Sequence, residues 1–359
     1  MASYLFISSV AIISFILNLI IVRTKLKHIK FTGDINSGPQ KIHTSNIPRI
    51  GGVGIYLTLI ITLLLLQIFN YNQENFLFDN LYSIIIISFP AVIVGIAEDI
   101  FKDISIFFRL SASFFVGLTA YFNGINVPFL NVNFIDEYLV LYNLLPFLTI
   151  VFFASSINSI NVIDGINGLA GLLAIVILLT LSQIALQNSD YNNYYFILLL
   201  IAAIFGFLLI NWFTGNIFLG DCGAYLLGTI LAFVSCNILY NNNLSLLNIL
   251  TLFSYPIWEI SNSIIRRLYN NKKIIYPDNK HLHSLTYIYL TKKFKNKKNN
   301  VINSLTTLLL IPLIIIGPIT TLYFYKKPQF LFFSFLIIYL ASTLIYVRLY
   351  YNPKLYDIS

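Results

Sequence analysis

The stretch NSINVIDGINGLAGLLAIVILLTLSQIAL, residues 158–186, joins a polar segment to a long apolar one. Its last part, residues 167–186, carries no charged side chain, and about 20 mostly apolar residues are enough for an α-helix to cross a bilayer. The polar part has amide and carboxylate side chains at intervals of three residues: Asn158, Asn161, Asp164 and Asn167. The stretch therefore predicts a membrane helix that follows a polar segment. The polar segment itself is either a helix-packing feature or a chemical site.

The composition of the whole chain supports a membrane protein. Of its 359 residues, 58% are hydrophobic and only 10% are charged, whereas soluble proteins carry about 25% charged residues. The two cysteines, Cys222 and Cys236, have no metal-binding spacing and give no support for a disulfide. The sequence pI near 9.2 is interpreted as basic loops that set membrane orientation, so we expect no nucleic-acid partner.

Apolar runs of spanning length recur along the chain, and no alternating ten-residue pattern of a membrane β-barrel is present. We predict eleven spans, at 3–22, 51–69, 81–97, 107–123, 139–157, 167–186, 194–212, 224–240, 246–265, 301–325 and 330–349. The predicted fold is thus an all-α polytopic membrane protein with one integral membrane domain over residues 1–359.

The basic residues predict the orientation of these spans. With eleven spans, 20 of the 22 Lys and Arg residues fall on one side of the membrane, and only Lys326 and Lys327 fall on the other. Because cytoplasmic loops are enriched in Lys and Arg, the N-terminus is predicted outside and the C-terminus inside. The unusual polar clusters all lie in or beside the predicted cytoplasmic loops, which we expect to form one active site: 23–50, 98–106, 158–166, 213–223 and 266–300.

Carboxylates from three of these loops are candidate ligands for Mg²⁺. Glu98 and Asp99 are adjacent, Asp164 lies in the polar segment, and Asp221 stands between two glycines before a span. Carboxylates combined with substrate phosphates are the usual magnesium arrangement in proteins. Each cluster also has a structural interpretation without chemistry. Glu98 and Asp99 could be a solvated helix end, the glycines around Asp164 could serve helix packing, and Asp221 could be a helix N-cap.

Two further loops carry basic and imidazole side chains suited to phosphate oxygens. His281 and His283 lie in the most basic loop, and Lys41 and Arg49 precede a glycine-rich helix start. Two histidines without nearby cysteine are a poor zinc signature, although exposed loop histidines remain an alternative. No P-loop or serine nucleophile elbow is present, so the predicted chemistry is metal-assisted phosphoryl transfer at the membrane surface.

In these motifs the chain resembles the polyprenyl-phosphate N-acetylhexosamine-1-phosphate transferases, a branch of glycosyltransferase family 4, and more distantly the MraY translocases. The resemblance runs from about residue 33 to about residue 290 and rests on KIHTSNIPRIGG, GIAEDIFKDIS, NSINVIDGINGLAGL, IFLGDCGA and HLHSL. It implies transfer of N-acetylhexosamine-1-phosphate from a UDP-sugar to polyprenyl phosphate, releasing UMP. Such an enzyme would initiate a cell-envelope polysaccharide, of O-antigen, capsule or teichoic type, on the cytoplasmic face of a bacterial plasma membrane.

The resemblance also implies roles for the acidic and imidazole side chains. Asp221 and Asp99 would hold Mg²⁺, for which Mn²⁺ is a substitute. Asp99 with Glu98 would bind metal or activate the lipid phosphate, and His281 and His283 would contact phosphates.

The substrate-binding roles fall on other residues. Asn158, Asn161 and Asp164 would hold the nucleotide and diphosphate, and Phe218 would stack on uracil. Lys41 and Arg49 are looser assignments. Asn167 occupies the position where family members often have Asp, so we expect it to influence substrate preference.

The motifs depart from the family pattern at three positions. Glu98 replaces the first Asp of an Asp-Asp pair, Asn167 replaces an Asp, and Ser284 replaces the last His of an HxHH motif. The triple-His segment of the MraY enzymes is absent as well, which makes a muramyl-pentapeptide substrate less expected.

Several alternatives remain open on the sequence alone. A covalent phospho-enzyme at Asp99 could replace direct attack by the lipid phosphate. A transporter with a cytoplasmic anion site is the main alternative function, but only Glu259 lies inside a predicted span, and transporters usually place ionisable residues near the midplane. A CDP-alcohol phosphotransferase would need a DGxxAR pattern, which is not present at Asp164-Gly165. A homodimer is also left open.

Overall fold

The computed structural model describes residues 2–33, 46–68, 75–271 and 280–351. Within these ranges the chain forms fifteen α-helices, and its only β-structure there is an isolated bridge between Gly33 and Pro48. The helices are α1 (Ala2–Arg23), α2 (Lys25–Thr32), α3 (Gly51–Ile68), α4 (Asn75–Phe101), α5 (Ile106–Phe122), α6 (Asn133–Leu141), α7 (Leu145–Ile163), α8 (Leu169–Gln187), α9 (Tyr191–Thr214), α10 (Gly220–Asn241), α11 (Leu247–Leu252), α12 (Ser254–Tyr269), α13 (Leu282–Lys293), α14 (Asn299–Phe324) and α15 (Pro328–Tyr350). The predicted all-α class is confirmed.

Nine of the helices in the described ranges are long and apolar enough to cross a membrane: α1, α3, α4, α7, α8, α9, α10, α14 and α15. Each overlaps one of the predicted spans, which confirms a polytopic membrane protein. The predicted span 107–123 corresponds to α5, an apolar helix of 17 residues. The number of spans and their orientation stay predictions.

The predicted span 246–265 is not one continuous helix. The chain leaves the helical path at Phe253, which separates α11 from α12. Pro256 follows within the first turn of α12, where the missing proline N–H costs little. Gly317 of α14 lies against this junction, because a methyl group there would come 3.4 Å from the Thr251 carbonyl carbon and still closer to Ser254. Glu259, predicted inside a span, therefore lies on the short helix after the break.

Helix ends differ from the predicted loops because helices continue into polar sequence. The predicted span 139–157 is shifted, since α7 runs from Leu145 to Ile163. The predicted loop 158–166 is correspondingly shorter, and Asn158 and Asn161 are helical. In the same way α4 continues through Glu98 and Asp99 to Phe101. Hydropathy falls at these residues, but backbone hydrogen bonding within a helix does not require apolar side chains.

Helix α10 is the centre of the molecule and is buried over most of its length. It packs against α3, α4, α7 and α8. The packing is closest at its first turn, where the backbone of Gly223 touches Gly52 of α3 and the Cys222 Cα lies 2.5 Å from the place of a methyl group on Gly95 of α4. Cys222 and Cys236 are both buried free thiols. Three helices therefore meet backbone to backbone at the end of α10 that begins with Gly220.

Candidate active site

The carboxylate of Asp99 holds the first turn of α10. The first N–H groups of a helix have no partner within it, and here the Asp221 N–H donates to Asp99 Oδ1 at 2.9 Å and the Cys222 N–H donates to Oδ2 at 3.0 Å. Asp99 itself is fully buried. The cap of α10 is thus supplied by α4, and Asp221, whose alternative interpretation was an N-cap, lies instead inside the first turn.

Arg49 bridges the two acidic residues at this point. Its Nη2 donates to Asp221 Oδ2 at 3.1 Å, and its Nε lies 3.8 Å from Asp99 Oδ1. The chain around Arg49 is fixed by backbone hydrogen bonds, among them Phe218 N–H to the Pro48 carbonyl and Gly51 N–H to the Phe218 carbonyl, both 2.9 Å. The guanidinium is therefore held by a backbone-paired segment rather than by a free loop.

Gly220 is the residue that lets these groups approach. Its φ of +76° lies in the left-handed region that favours glycine. A methyl group on Gly220 would contact the Arg49 carbonyl oxygen and would lie 2.6 Å from Asp99 Oδ2. The Gly-Asp-Cys-Gly sequence consequently places Asp221 beside Asp99 only because position 220 has no side chain.

Asp164 joins this cluster from the end of α7. It is the C-cap of that helix, and its N–H donates to the Ile160 carbonyl at 3.0 Å. Burial raises the pKa of the Asp164 carboxyl well above its usual range, the Arg49 guanidinium lowers that pKa, and the Asp221 carboxylate raises it again. Asp221 and Arg49 thus interact electrostatically with both Asp99 and Asp164, which come from separate segments.

Asn158 and Asn161 lie five and two residues before Ile163, the last residue of α7. The Asn158 amide donates to the Ala154 carbonyl at 2.7 Å and to Ser113 Oγ of α5 at 3.2 Å. The Asn161 side chain, by contrast, makes no hydrogen bond to any described residue and is partly exposed. Asn161 is accordingly the freer of the two amides for a ligand.

Asn167 is not on the same helix as Asn158 and Asn161, because α7 ends at Ile163. Its backbone N–H donates to Asn303 Oδ1 at 2.6 Å, and its carbonyl accepts from Thr307 Oγ1 at 2.7 Å, both on α14. Its side chain is buried beside Gly215, and its Nδ2 has no hydrogen-bond partner. The predicted influence of Asn167 on the substrate would therefore act through the turn between α7 and α8.

Glu98 is directed away from its neighbour Asp99. Its Oε2 accepts from the Ile104 N–H at 3.1 Å, and its Oε1 lies 3.4 Å from Arg109 Nη1 of α5. Adjacent residues on a helix do not face the same way, so the predicted acid pair is split between two partners. Only Asp99 of the two touches α10 directly.

His281 and His283 lie at the start of α13 and share one buried carboxylate. Their Nδ1 atoms each lie 3.2 Å from an oxygen of Glu259, and their rings are parallel, with centroids 5.3 Å apart. The alternative of exposed loop histidines is excluded, because both side chains are buried. His283 reaches the acidic cluster, since its Nε2 lies 2.9 Å from the place of a methyl group on Gly165, next to Asp164.

The remaining predicted site residues are less defined. Phe218 is partly buried in the segment between α9 and α10, where its backbone pairs with the chain before α3. Lys41 lies outside the described residues. The structure therefore brings together Asp99, Asp164, Asp221, Arg49 and His283, while Glu98 and Asn167 bond elsewhere.

The acidic cluster has donors of the right chemistry for a divalent cation. Among the described residues, no group of three or more His, Cys, Asp or Glu side chains could hold a metal ion by itself. Mg²⁺ commonly takes one or two protein carboxylates and completes its shell with water and substrate phosphates. Asp221 fits this role best, because only its Oδ2 is engaged, by Arg49, whereas both oxygens of Asp99 already accept backbone N–H groups.

Two residues that hold the site were not recognised as such in the sequence. The buried Asn211 of α9 accepts from the Gly168 N–H at 2.7 Å and donates to the Ile217 carbonyl at 2.8 Å, which ties the turn after Asp164 to the segment before Asp221. Glu259 was noted only as an ionisable residue in a span. The signal for both is a strongly polar side chain within an apolar helix, which identifies a buried contact but not its partner.

Comparison with known families supports the resemblance seen in the motifs. The family model described as glycosyl transferase family 4 matches residues 81–238. This range contains Asp99, Asp164 and Asp221, so the matching region includes all three acidic residues of the cluster.

Similar proteins of known name cover more of the chain. A protein of Bacillus subtilis named "Probable undecaprenyl-phosphate N-acetylglucosaminyl 1-phosphate transferase" is 27% identical over 279 residues, which are 76% of this chain and 75% of that protein. An undecaprenyl-phosphate alpha-N-acetylglucosaminyl 1-phosphate transferase of Thermotoga maritima is 27% identical over 68% of this chain and 69% of its own length. A phospho-N-acetylmuramoyl-pentapeptide-transferase of Clostridium beijerinckii is 27% identical over 58% of this chain and 66% of its own length. These matches confirm the resemblance seen in the motifs.

Proposed function

We propose that this chain, which is similar to glycosyl transferase family 4 over residues 81–238, transfers N-acetylhexosamine-1-phosphate from a UDP-sugar to undecaprenyl or a related polyprenyl phosphate. The products are a polyprenyl-diphospho-sugar and UMP. The observation that carries this proposal is the convergence of Asp99, Asp164 and Asp221 on Arg49 at one end of the central helix. The names of the similar proteins support the reaction class.

The cluster supplies the groups that such a transfer needs. A diphosphate carries several negative charges, so cationic groups must neutralise it. Arg49 is one such group, and a Mg²⁺ or Mn²⁺ ion held by Asp221, with Asp164 nearby, would polarise the phosphoryl oxygens. Asn161, whose amide is free of hydrogen bonds to described residues, is placed to donate to the nucleotide or diphosphate.

The proposed reaction is direct attack by the lipid phosphate. A phosphate oxygen of the polyprenyl phosphate forms a bond to the β-phosphorus of the UDP-sugar, and the bond from that phosphorus to the bridging oxygen breaks, so that UMP leaves. A phospho-enzyme at Asp99 is less favoured, since both Asp99 oxygens cap α10 and the side chain is fully buried. A nucleophile should instead be exposed to its substrate.

The proposed location is the cytoplasmic face of a bacterial plasma membrane. The nine apolar helices found in the described part of the chain support a multi-pass protein, and the bias of Lys and Arg supports the cytoplasmic face. The product would begin an O-antigen, capsule or teichoic-type polysaccharide.

The decisive experiment is an assay of UMP release from purified protein in detergent or vesicles. Polyprenyl phosphate and Mg²⁺ are combined in turn with UDP-N-acetylglucosamine, UDP-N-acetylgalactosamine and UDP-glucose, and UMP is quantified with and without the lipid. We expect lipid-dependent UMP release with an N-acetylhexosamine donor, lost on addition of a chelator. Asp221→Asn should reduce release by at least about 100-fold, since it removes one charge from the metal position. No lipid-dependent UMP from any donor would refute the proposal.

A further inference from the structure

Glu259 is the buried centre of a hydrogen-bond cluster that the proposed reaction does not yet use. Its Oε1 accepts from the Tyr255 hydroxyl at 2.9 Å and lies 3.2 Å from His283 Nδ1. Its Oε2 lies 3.2 Å from His281 Nδ1 and accepts from the Leu282 N–H at 3.4 Å. Four polar groups thus surround one side chain that is 1% exposed.

This arrangement fixes which nitrogen of each imidazole carries a proton. Two of the groups, a hydroxyl and a backbone N–H, point to a carboxylate that acts as acceptor, and an ionised carboxylate can only accept hydrogen bonds. Both histidines must then present Nδ1–H to Glu259. In a neutral imidazole with Nδ1–H, the other nitrogen, Nε2, carries the lone pair.

The Nε2 atoms are consequently left for another partner, since neither makes a hydrogen bond to a described residue. The parallel rings of His281 and His283 keep the two imidazoles in one common orientation. The Nε2 of His283 lies close to Gly165, since a methyl group placed on that glycine would come within 2.9 Å of this nitrogen. Gly165 directly follows Asp164, so this nitrogen borders the acidic cluster.

We propose that Glu259 is a positioning residue, which locks His281 and His283 as a rigid pair with Nδ1–H bound and Nε2 of His283 presented to the phosphates beside Asp164. This inference rests on the proposed function. When Nε2 is unprotonated it can accept a proton from the lipid phosphate, and when it is protonated it can donate a hydrogen bond to a phosphate oxygen. Glu259 touches neither substrate and acts only through the imidazoles.

The break between α11 and α12 supports this role. Glu259 lies five residues after the first residue of α12, and Pro256 and Gly317 fix the geometry of that junction. Trp258, the residue before Glu259, anchors α12 to α15 because its Nε1–H donates to Thr343 Oγ1 at 2.9 Å. Contacts with α14 and α15 therefore hold α12 and its Glu259 carboxylate in place. A fixed carboxylate is what the orientation of two imidazoles requires.

The test compares two substitutions that separate shape from charge. Glu259→Gln keeps the size of the side chain, but its NH₂ group faces one imidazole, which must then shift its proton to Nε2. Glu259→Asp shortens the side chain but keeps an acceptor-only carboxylate. We expect kcat for UMP release to fall by about 10- to 100-fold in Glu259→Gln, the range for a lost partner of a functional histidine, with a smaller change in KM. Glu259→Asp should retain more activity than Glu259→Gln.

A matched control and a double-mutant cycle complete the experiment. Tyr255→Phe removes one donor to Glu259 and leaves both imidazole contacts, so kcat should change by less than about threefold. In a His283→Ala background, Glu259→Gln should cost much less than in the wild type, because the group it positions is gone. Melting of each variant in detergent reports whether it is folded.

Three outcomes would overturn the inference. These are a kcat for Glu259→Gln within threefold of wild type, Glu259→Gln more active than Glu259→Asp, or an undiminished effect of Glu259→Gln in the His283→Ala background. If Glu259→Gln does not fold, the comparison of Glu259→Asp alone and combined with His283→Ala decides by the same coupling. Failure of the wild type to release UMP would instead refute the proposed function.

Discussion

Gly220 shows at the scale of one residue how a missing side chain creates the site. Its left-handed backbone and its contacts with Arg49 and Asp99 impose two separate demands on this position. Gly124 has a similar φ of +79°, but a methyl group there would meet nothing within 4 Å. The two glycines therefore separate the cost of the backbone conformation from the cost of contact.

We expect Gly220→Ala to destabilise the protein more than Gly124→Ala. The strained φ alone costs on the order of 1 kcal/mol, and at position 220 the added methyl group must also displace the Arg49 carbonyl or the Asp99 carboxylate. The measurement is the thermal midpoint of each variant in the same detergent. Equal midpoints for the two variants would contradict the close contact at Gly220.

The residue scale is also where the sequence was most informative and most misleading. Asp99, Asp164 and Asp221 are recognisable in the sequence as candidates because each carboxylate lies at the end of an apolar run, and the structure places all three near Arg49. Glu98 was grouped with Asp99 because the two are adjacent, although neighbours on a helix are rotated by about 100°. The partners of Glu259 could not be predicted, since pairing between helices is not visible in one sequence.

At the scale of elements, α4 and α10 depend on each other. The first turn of α10 has no capping side chain of its own, and Asp99 of α4 binds two of its N–H groups. An asparagine at position 99 could accept one of these hydrogen bonds, but its NH₂ group would face the other donor. A buried N–H without a partner costs about 1–3 kcal/mol.

Asp99→Asn and Asp221→Asn should therefore differ in stability although both lose activity. Asp99→Asn is expected to lower the free energy of unfolding by about 1–3 kcal/mol. Asp221→Asn should cost less stability than Asp99→Asn, because the asparagine oxygen can still accept from Arg49 Nη2 and no backbone N–H loses its partner. Thermal melting in detergent, recorded beside UMP release, tests both. A loss of stability in Asp221→Asn equal to that in Asp99→Asn would contradict the capping role.

Elements were predictable where hydropathy alone determines them. The long apolar runs form helices, since a backbone in hydrocarbon must satisfy its hydrogen bonds internally, although the run 246–265 is divided between α11 and α12. The ends of α4 and α7 were misplaced because polar residues extend these helices beyond the apolar run. The short helices α2, α6 and α13 were missed for the related reason that none has a span-length apolar stretch.

At the scale of the whole molecule, the two ends of α10 should lie on opposite sides of the membrane. A 22-residue helix is about 33 Å long, close to the thickness of the hydrocarbon core. The exposed Asn241 ends this helix, and the exposed Lys295 precedes α14, whose Asn300 contacts the Thr214 carbonyl at the site end. The site end is predicted to be cytoplasmic.

Cysteine labelling in intact cells tests this orientation. An impermeant maleimide should modify Asn241→Cys from outside, and should modify Lys295→Cys only after the membrane is opened. The native cysteines are buried, so the wild-type protein serves as an unlabelled control. Labelling of Lys295→Cys in intact cells, with protection of Asn241→Cys, would reverse the orientation.

The direct contact of Gly52 with Gly223 has a mechanical consequence. Side chains between two helices can change rotamer and let the helices slide, but touching backbones leave nothing to rearrange. We therefore expect α3, α4 and α10 to move as one rigid body during turnover. Such a stiff centre is unsuited to the rocking of two halves that alternating access demands. Motions that admit the lipid and release the product should instead arise in the peripheral helices, which would bend relative to α3, α4 and α10.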